Sequence, residues 1–170
     1  SALRINSPVL DVMEYLLQPY METRETNAYA HDAAIGVARE CEGLDLYMPT
    51  YIDKRGRVLY LSDLLSRQGN DLQRWLTVFA QSVELNGEGL FWHRVHVANV
   101  CSGLEVAGGQ KLDKIRFEDR AAWTEENEKL LLEIANDPVG HRDMYWDGFA
   151  SGAHTTAALA AILDLQQVHE

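Results

Sequence analysis

Two arginines and a lysine crowd a single glycine in the run Asp53-Lys54-Arg55-Gly56-Arg57. Each guanidinium is a planar fork of N–H donors whose geometry suits phosphate oxygens, and a turn that needs glycine holds two such forks close together on a rigid support. That is the chemistry of gripping phosphate. A turn simply solvated by water accounts for the same residues, because a single short motif carries little information on its own. From Lys54 to Arg74, five basic residues (Lys54, Arg55, Arg57, Arg67, Arg74) stand against two acidic ones (Asp63, Asp71), so the window is locally positive.

The remaining chemical signals fail on spacing. His141-Arg142-Asp143 has the letters of a kinase catalytic loop, but no glycine loop or strand lysine precedes it and no asparagine follows at the required distance. Gly108-Gly109-Gln110-Lys111 resembles a phosphate loop only superficially. There the lysine must directly follow glycine and precede Ser or Thr, and here Gln110 and Leu112 occupy those places. His93 and His96 stand three apart on one predicted helix, yet a metal site needs a third and a fourth ligand. Structural histidines are the expectation, with no metal site in this chain. Cys41 and Cys101 lack metal-ligand spacing and are expected as buried free thiols.

With 170 residues, 46% of them apolar, the chain is long enough for one compact domain with a core, and residues 1–170 are expected to form a single domain. The net charge of −11 argues against a general polyanion binder, since nonspecific grip on phosphates comes from clustered Lys and Arg. Acidic residues are densest from Glu118 to Glu133, as on a solvated helix face. No apolar run approaches the roughly 20 residues that span a bilayer, and no secretory leader is recognisable, so a cytoplasmic protein is expected. The start at Ser1-Ala2 suggests a processed product or a piece of a longer chain.

The elements that must position the arginines follow from periodicity. Ser7-Pro8, followed by Val9, Met13, Leu16 and Leu17, predicts a helix with a capping residue and a proline in its first turn. Ala28 to Glu42 predicts a second helix stopped by Gly43. Leu44-Asp45-Leu46-Tyr47 alternates and Val58-Leu59-Tyr60-Leu61 is β-prone, which predicts a short hairpin with Gly56 in its turn. Leu72, Trp75, Leu76, Phe79 and Val83 form one stripe and predict a helix over Asn70 to Val83. Further helices are predicted over Gly87 to Ser102, with Leu90, Phe91, Val95 and Ala98 inward, over Glu118 to Asn136, closed by Asp137-Pro138, and over Thr155 to Val168. The predicted fold is mainly α with a small antiparallel β-hairpin or sheet, an α+β arrangement.

Asp53-Lys54-Arg55-Gly56-Arg57-Val58 resembles the D-x-x-G-R motif of single-subunit RNA polymerases of phages and mitochondria. In the phage enzymes a serine and then a Q-G-N-D stretch follow, and this chain has Ser62, Gln68-Gly69-Asn70-Asp71 and a basic Arg74 in those places. His96-Val97-Ala98-Asn99 is similar to the family's H-G-A-N, and Arg120-Ala121-Ala122-Trp123-Thr124-Glu125-Glu126-Asn127 to its R-x-x-F-x-E-E-N helix. Arg4-Ile5-Asn6 through Leu10-Asp11-Val12 is similar to the helix upstream of the motif. Leu59 stands where the family usually has Tyr, and Tyr60 would point to the other face of a regular strand. Asp147-Gly148-Phe149-Ala150-Ser151-Gly152 matches the palm motif D-G-x-x-S-G superficially. The preferred alignment instead places the Ala157 to Leu165 run on the helix just before that motif and leaves Asp147 in a loop.

The resemblance implies a segment of the single-subunit polymerase fold upstream of the palm catalytic motif. Arg55, Gly56, Arg57, Ser62 and Arg74 would contact template or hybrid backbone, Asp53, Asn70 and Asp71 would support them, and His96 and Asn99 would brace the hairpin. No catalytic residue falls in this chain by that alignment. Activity as a DNA-directed RNA polymerase would arise only with a partner carrying the catalytic aspartates, a separate subunit or the remainder of the chain. No cofactor is expected here, and Mg²⁺ is expected in the complete polymerase. The implied partners are that catalytic part, DNA template and RNA–DNA hybrid, in the cytoplasm of a bacterial host. The alternative is a polymerase-like protein that binds nucleic acid or a polymerase without a catalytic role.

Overall fold

Val9, Leu10, Met13, Leu16 and Leu17, repeating at helical spacing after Ser7-Pro8, form the buried face of helix α1 (Ser7–Met21) in the computed structural model. The structure describes residues 1–21, 26–103, 105–106, 109–149 and 154–168, which fall into two compact units, Ser1–Ser82 and Val83–Glu170. The architecture is predominantly helical with small two-stranded antiparallel sheets, as the sequence predicts. Among the described residues no helix is long and apolar enough to cross a membrane.

In the first unit, α2 (Thr26–Glu40) lays Ala34, Ile35 and Ala38 into the core beside α1. Arg39 ties the two helices together, its Nε donating to Glu14 at 2.9 Å and its Nη2 to Asp11 at 2.7 Å. Gly43 follows the helix with φ of 79°, the left-handed geometry that glycine adopts without a Cβ penalty. Leu44 to Tyr47 does not supply the first strand of the predicted hairpin. Leu46 instead forms an isolated bridge with Leu3, exchanging two backbone hydrogen bonds of 2.8 Å, and the hairpin pairs β2 (Thr50–Ile52) with β3 (Val58–Tyr60).

The helix predicted over Asn70 to Val83 is likewise cut short. Only α3 (Asp71–Trp75) is helical, and Thr77–Phe79 becomes strand β4, antiparallel to β1 (Leu3–Ile5), with Leu3 opposite Phe79 and Ile5 opposite Thr77. Leu72 and Leu76 are buried as the stripe demands, but Phe79 and Val83 are exposed. The β-prone Thr-Val-Phe run finds unpaired backbone donors and acceptors on β1, and that tertiary pairing overrides a helical periodicity worth only tenths of a kcal/mol per residue, about 0–0.7.

The second unit is built around α7 (Thr155–Val168), whose residues from Thr155 to Leu163 are buried on every side. A helix apolar all round belongs at the centre of its unit. It packs on α4 (Gly87–Val100) and α6 (Glu128–Asn136), and α4 packs on α5 (Phe117–Glu126). Asn86 caps α4, its Oδ1 accepting the Gly89 amide at 2.7 Å. The single helix predicted from Glu118 to Asn136 is broken into α5 and α6 at Asn127, where φ and ψ are −100° and 5°. The Asn127 side chain donates to the Trp123 carbonyl at 2.8 Å, a local bond of the kind that competes with helix continuation. Between α4 and α5 lies a minimal hairpin of β5 (Glu105–Val106) and β6 (Gln110–Lys111), then a 3₁₀ turn over Leu112–Lys114.

Candidate nucleic-acid interface

The β2–β3 hairpin places Asp53, Arg55, Gly56 and Arg57 in one turn, and the Asp53 carboxylate organises it. Its Oδ1 accepts the backbone amides of Arg55 at 2.8 Å and of Arg57 at 2.9 Å. Its Oδ2 accepts Arg57 Nε at 2.7 Å and pairs with Nη2 at 2.6 Å. The Arg57 amide first, then the Arg57 guanidinium, hold this carboxyl below its ordinary pKa. Gly56 takes φ of 76° and donates its amide to the Asp53 carbonyl at 3.0 Å, so the turn uses the one residue free of a Cβ penalty there. The two arginines therefore differ. Arg57 is held by Asp53, whereas the exposed Arg55 side chain has no partner among the described residues.

Gln68 connects this hairpin to the segment that carries the other predicted residues, and Gln73 braces that segment internally. In the β2–β3 ladder, the amide of Leu61 and the carbonyl of Arg57 face β2, which leaves the Val58 carbonyl and Tyr60 amide on the free edge of β3. The Gln68 carboxamide takes both, accepting from Tyr60 N–H at 3.1 Å and donating to Val58 O at 2.9 Å, as the peptide group of another strand would. Gln73 completes a capping box with Asn70, whose Oδ1 accepts the Gln73 amide at 3.0 Å while Gln73 Oε1 accepts the Asn70 amide at 3.2 Å. Gln73 Nε2 then reaches the Asp63 carbonyl at 2.6 Å. A Cβ on Gly69 would stand 1.8 Å from Gln73 Oε1, so only glycine leaves room for that carboxamide. Ser62 Oγ accepts the Leu65 amide at 3.3 Å, which leaves its own O–H to donate elsewhere. Asp71 opens α3, and Arg74 is exposed at its last turn, its Nε 3.4 Å from the Asn70 carbonyl.

Gln68 and Gln73 were not among the predicted site residues. Gln68 belongs to the Q-G-N-D block, but its partners on β3 are visible only in the folded chain. Arg67, counted in the positive window, is a packing residue: its guanidinium donates to the Thr77 carbonyl at 2.6 Å and lies over the Phe79 ring at 5.4 Å.

His96 and Asn99 lie on α4 in the second unit. Asn99 Oδ1 accepts Arg120 Nη1 at 2.8 Å, and Thr124 Oγ1 donates to the Arg94 carbonyl at 2.8 Å, so the two sequence blocks on α4 and α5 are joined to each other. Burial lowers the pKa of His96, and burial followed by the nearby His96 lowers that of His93. Asp147 sits in a π-helical turn over Met144–Phe149 rather than in a loop, and 150–152, the rest of the palm-like run, lie outside the described residues. Gly108 lies outside them too, while Gly109 takes φ of 73° beside β6. Cys41 and Cys101 are free thiols; Cys101 is buried, whereas Cys41 is only partly so. Among the described residues no three His, Cys, Asp or Glu side chains converge to hold a metal.

Comparison with known proteins places these elements in context. The family model of DNA-dependent RNA polymerase matches residues 83–170, the whole of the second unit. The chain is 29% identical over 153 residues to the DNA-directed RNA polymerase of Pseudomonas phage phiKMV, covering 88% of this chain and 17% of that protein. It is 32% identical over 94 residues to T7 RNA polymerase of Escherichia phage T7, covering 55% and 10%. It is 33% identical over 93 residues to DNA-directed RNA polymerase 1, mitochondrial, of Arabidopsis thaliana, covering 55% and 9%. The chain thus spans less than a fifth of the length of these relatives.

Proposed function

The chain belongs to the phage-type family of DNA-dependent RNA polymerases, and from that membership we propose that it is a non-catalytic part of such an enzyme that grips the template or hybrid backbone. Arg55 makes the leading phosphate contact, since its five N–H donors have no competing protein acceptor among the described residues. Arg57, pre-positioned by Asp53, adds the donors that its ion pair leaves free. Ser62 and Arg74 extend the contact along the backbone, while Gln68 holds their segment to the hairpin and Gln73 braces it internally. In the second unit, Asn99 and Arg120 join the family's sequence blocks. The catalytic aspartates and their Mg²⁺ ions are supplied by a partner subunit or by the rest of a longer chain. Transcription takes place in the cytoplasm of the phage's host.

The observation that carries this reading is the Asp53-organised turn, which fixes one guanidinium and presents another free. Because the chain is strongly acidic overall, it binds DNA weakly by itself. Reconstitution with the catalytic part tests the proposal: Arg55→Ala and Arg57→Ala should each lower transcription and DNA affinity, with the larger loss at Arg55. Unchanged transcription and affinity in both variants would sink it.

A further inference from the structure

Tyr51 shares a strand face with the arginine turn. Alternate residues of a strand and directly opposed residues of an antiparallel pair lie on the same side. The register Tyr51↔Leu59 and Ile52↔Val58 therefore puts Tyr51, Asp53, Arg57 and Leu59 on one face, and Thr50, Ile52, Val58 and Tyr60 on the other. The Asp53–Arg57 ion pair fixes the first face at the turn. Along it run Tyr51, a residue 44% exposed, a half-buried Leu59 beside it, and then Arg57, whose side chain is 61% exposed yet paired with Asp53. The opposite face offers aliphatic Ile52 and Val58 and a half-buried Tyr60.

We propose that Tyr51 is a stacking platform for an unpaired nucleobase, with Arg57 on the same face taking the adjoining phosphate. The ligand is single-stranded nucleic acid. In a duplex the faces of the bases are closed inside the stack, so a ring on an outer hairpin face cannot cover one; in a single strand each base has a face to offer. Stacking on Tyr51 buries apolar ring surface that the folded chain leaves in water, and the Asp53–Arg57 pair keeps the neighbouring cation from collapsing onto that ring. The inference rests on the backbone-gripping reading and adds to it the strandedness of the ligand and an aromatic contact.

The test titrates the full chain into a single-stranded oligodeoxynucleotide carrying 2-aminopurine, whose fluorescence falls when the base stacks, over a series of salt concentrations. Tyr51→Ala should weaken binding at least about fivefold and abolish the quenching, while Tyr51→Phe stays within about twofold of the parent, because the ring supplies the contact. The slope of log affinity on log salt should be unchanged in Tyr51→Ala and shallower by about 0.7 in Arg55→Ala, since only the latter loses a phosphate contact. Amide exchange at Tyr60 serves as the folding control. Tyr51→Ala with parental affinity and quenching overturns the platform, as does equal binding of the matching duplex with equal dependence on Tyr51. Arg55→Ala with parental affinity and slope overturns the backbone grip instead. No binding by the parent chain at low salt overturns both.

Discussion

Gln68→Ala probes the joint between the hairpin and the segment carrying Ser62, Asn70 and Arg74. The substitution removes the acceptor of the Tyr60 amide and the donor to the Val58 carbonyl, bonds of 3.1 and 2.9 Å on the free edge of β3. A protein hydrogen bond contributes about 0.5–1.5 kcal/mol net, and Gln68 is exposed, so water replaces part of each; the pair is worth about 1–2 kcal/mol of local stability. At about 1.4 kcal/mol per tenfold, the Tyr60 amide should exchange with solvent roughly 5–30 times faster in the variant, read residue by residue by NMR. The internal controls face the other strand: Leu61 N–H to the Pro49 carbonyl at 3.0 Å and Asp53 N–H to the Arg57 carbonyl at 2.9 Å. Both should keep their protection. An unchanged Tyr60 amide would refute the edge-pairing argument. Equal acceleration of all three amides would refute it as well, because the loss would then be a loosening of the whole hairpin.

Two further outcomes follow from individual residues. Gly56→Ala meets no atom within 4 Å of the new Cβ, so its cost is purely the left-handed φ of 76°, about 1 kcal/mol. Faster exchange of the residue-56 amide, now bonded to the Asp53 carbonyl, checks this, and an unaltered rate would contradict it. The second concerns pH. His93 and His96 titrate below the ordinary 6.5 when folded, so the folded chain binds fewer protons than the unfolded one beneath that pH. The second unit should keep its full stability above about pH 6.5 and lose it progressively as pH falls toward the folded values. Urea midpoints across that range should flatten in His93→Gln, and an equally steep loss in the variant would rule out His93 as a source.

Much of the helical framework was legible because helical periodicity is a local property. The apolar stripes of α1, α4 and α7 and the glycine at the end of α2 depend on residues within a turn or two of each other. The same locality misled at Asn70 to Val83. There the stripe ignores a strand partner at the far end of the unit, Leu3–Ile5, and β4 forms in place of the last helical turns. Glu118 to Asn136 read as one helix because Asn127 is a tolerable helical residue until its side chain turns back to Trp123. The hairpin's turn was readable from Gly56, while its first strand was misplaced by several residues, since register is set by pairing across the turn as well as by alternation along the chain.

By itself, the sequence determined the residue types of the site, the glycine at the turn, the local positive window in an acidic chain and the order of the blocks that mark the family. Which arginine is held and which is free was decided only by the tertiary structure, through the Asp53 carboxylate folding back on Arg57. So was the role of Gln68, a side chain acting as a strand, and the placing of Tyr51 on the face of Arg57. The physical reason is common to all three. A side chain's chemistry is intrinsic to its type, but the partner that satisfies its hydrogen bonds is chosen by packing between segments that are distant in the chain.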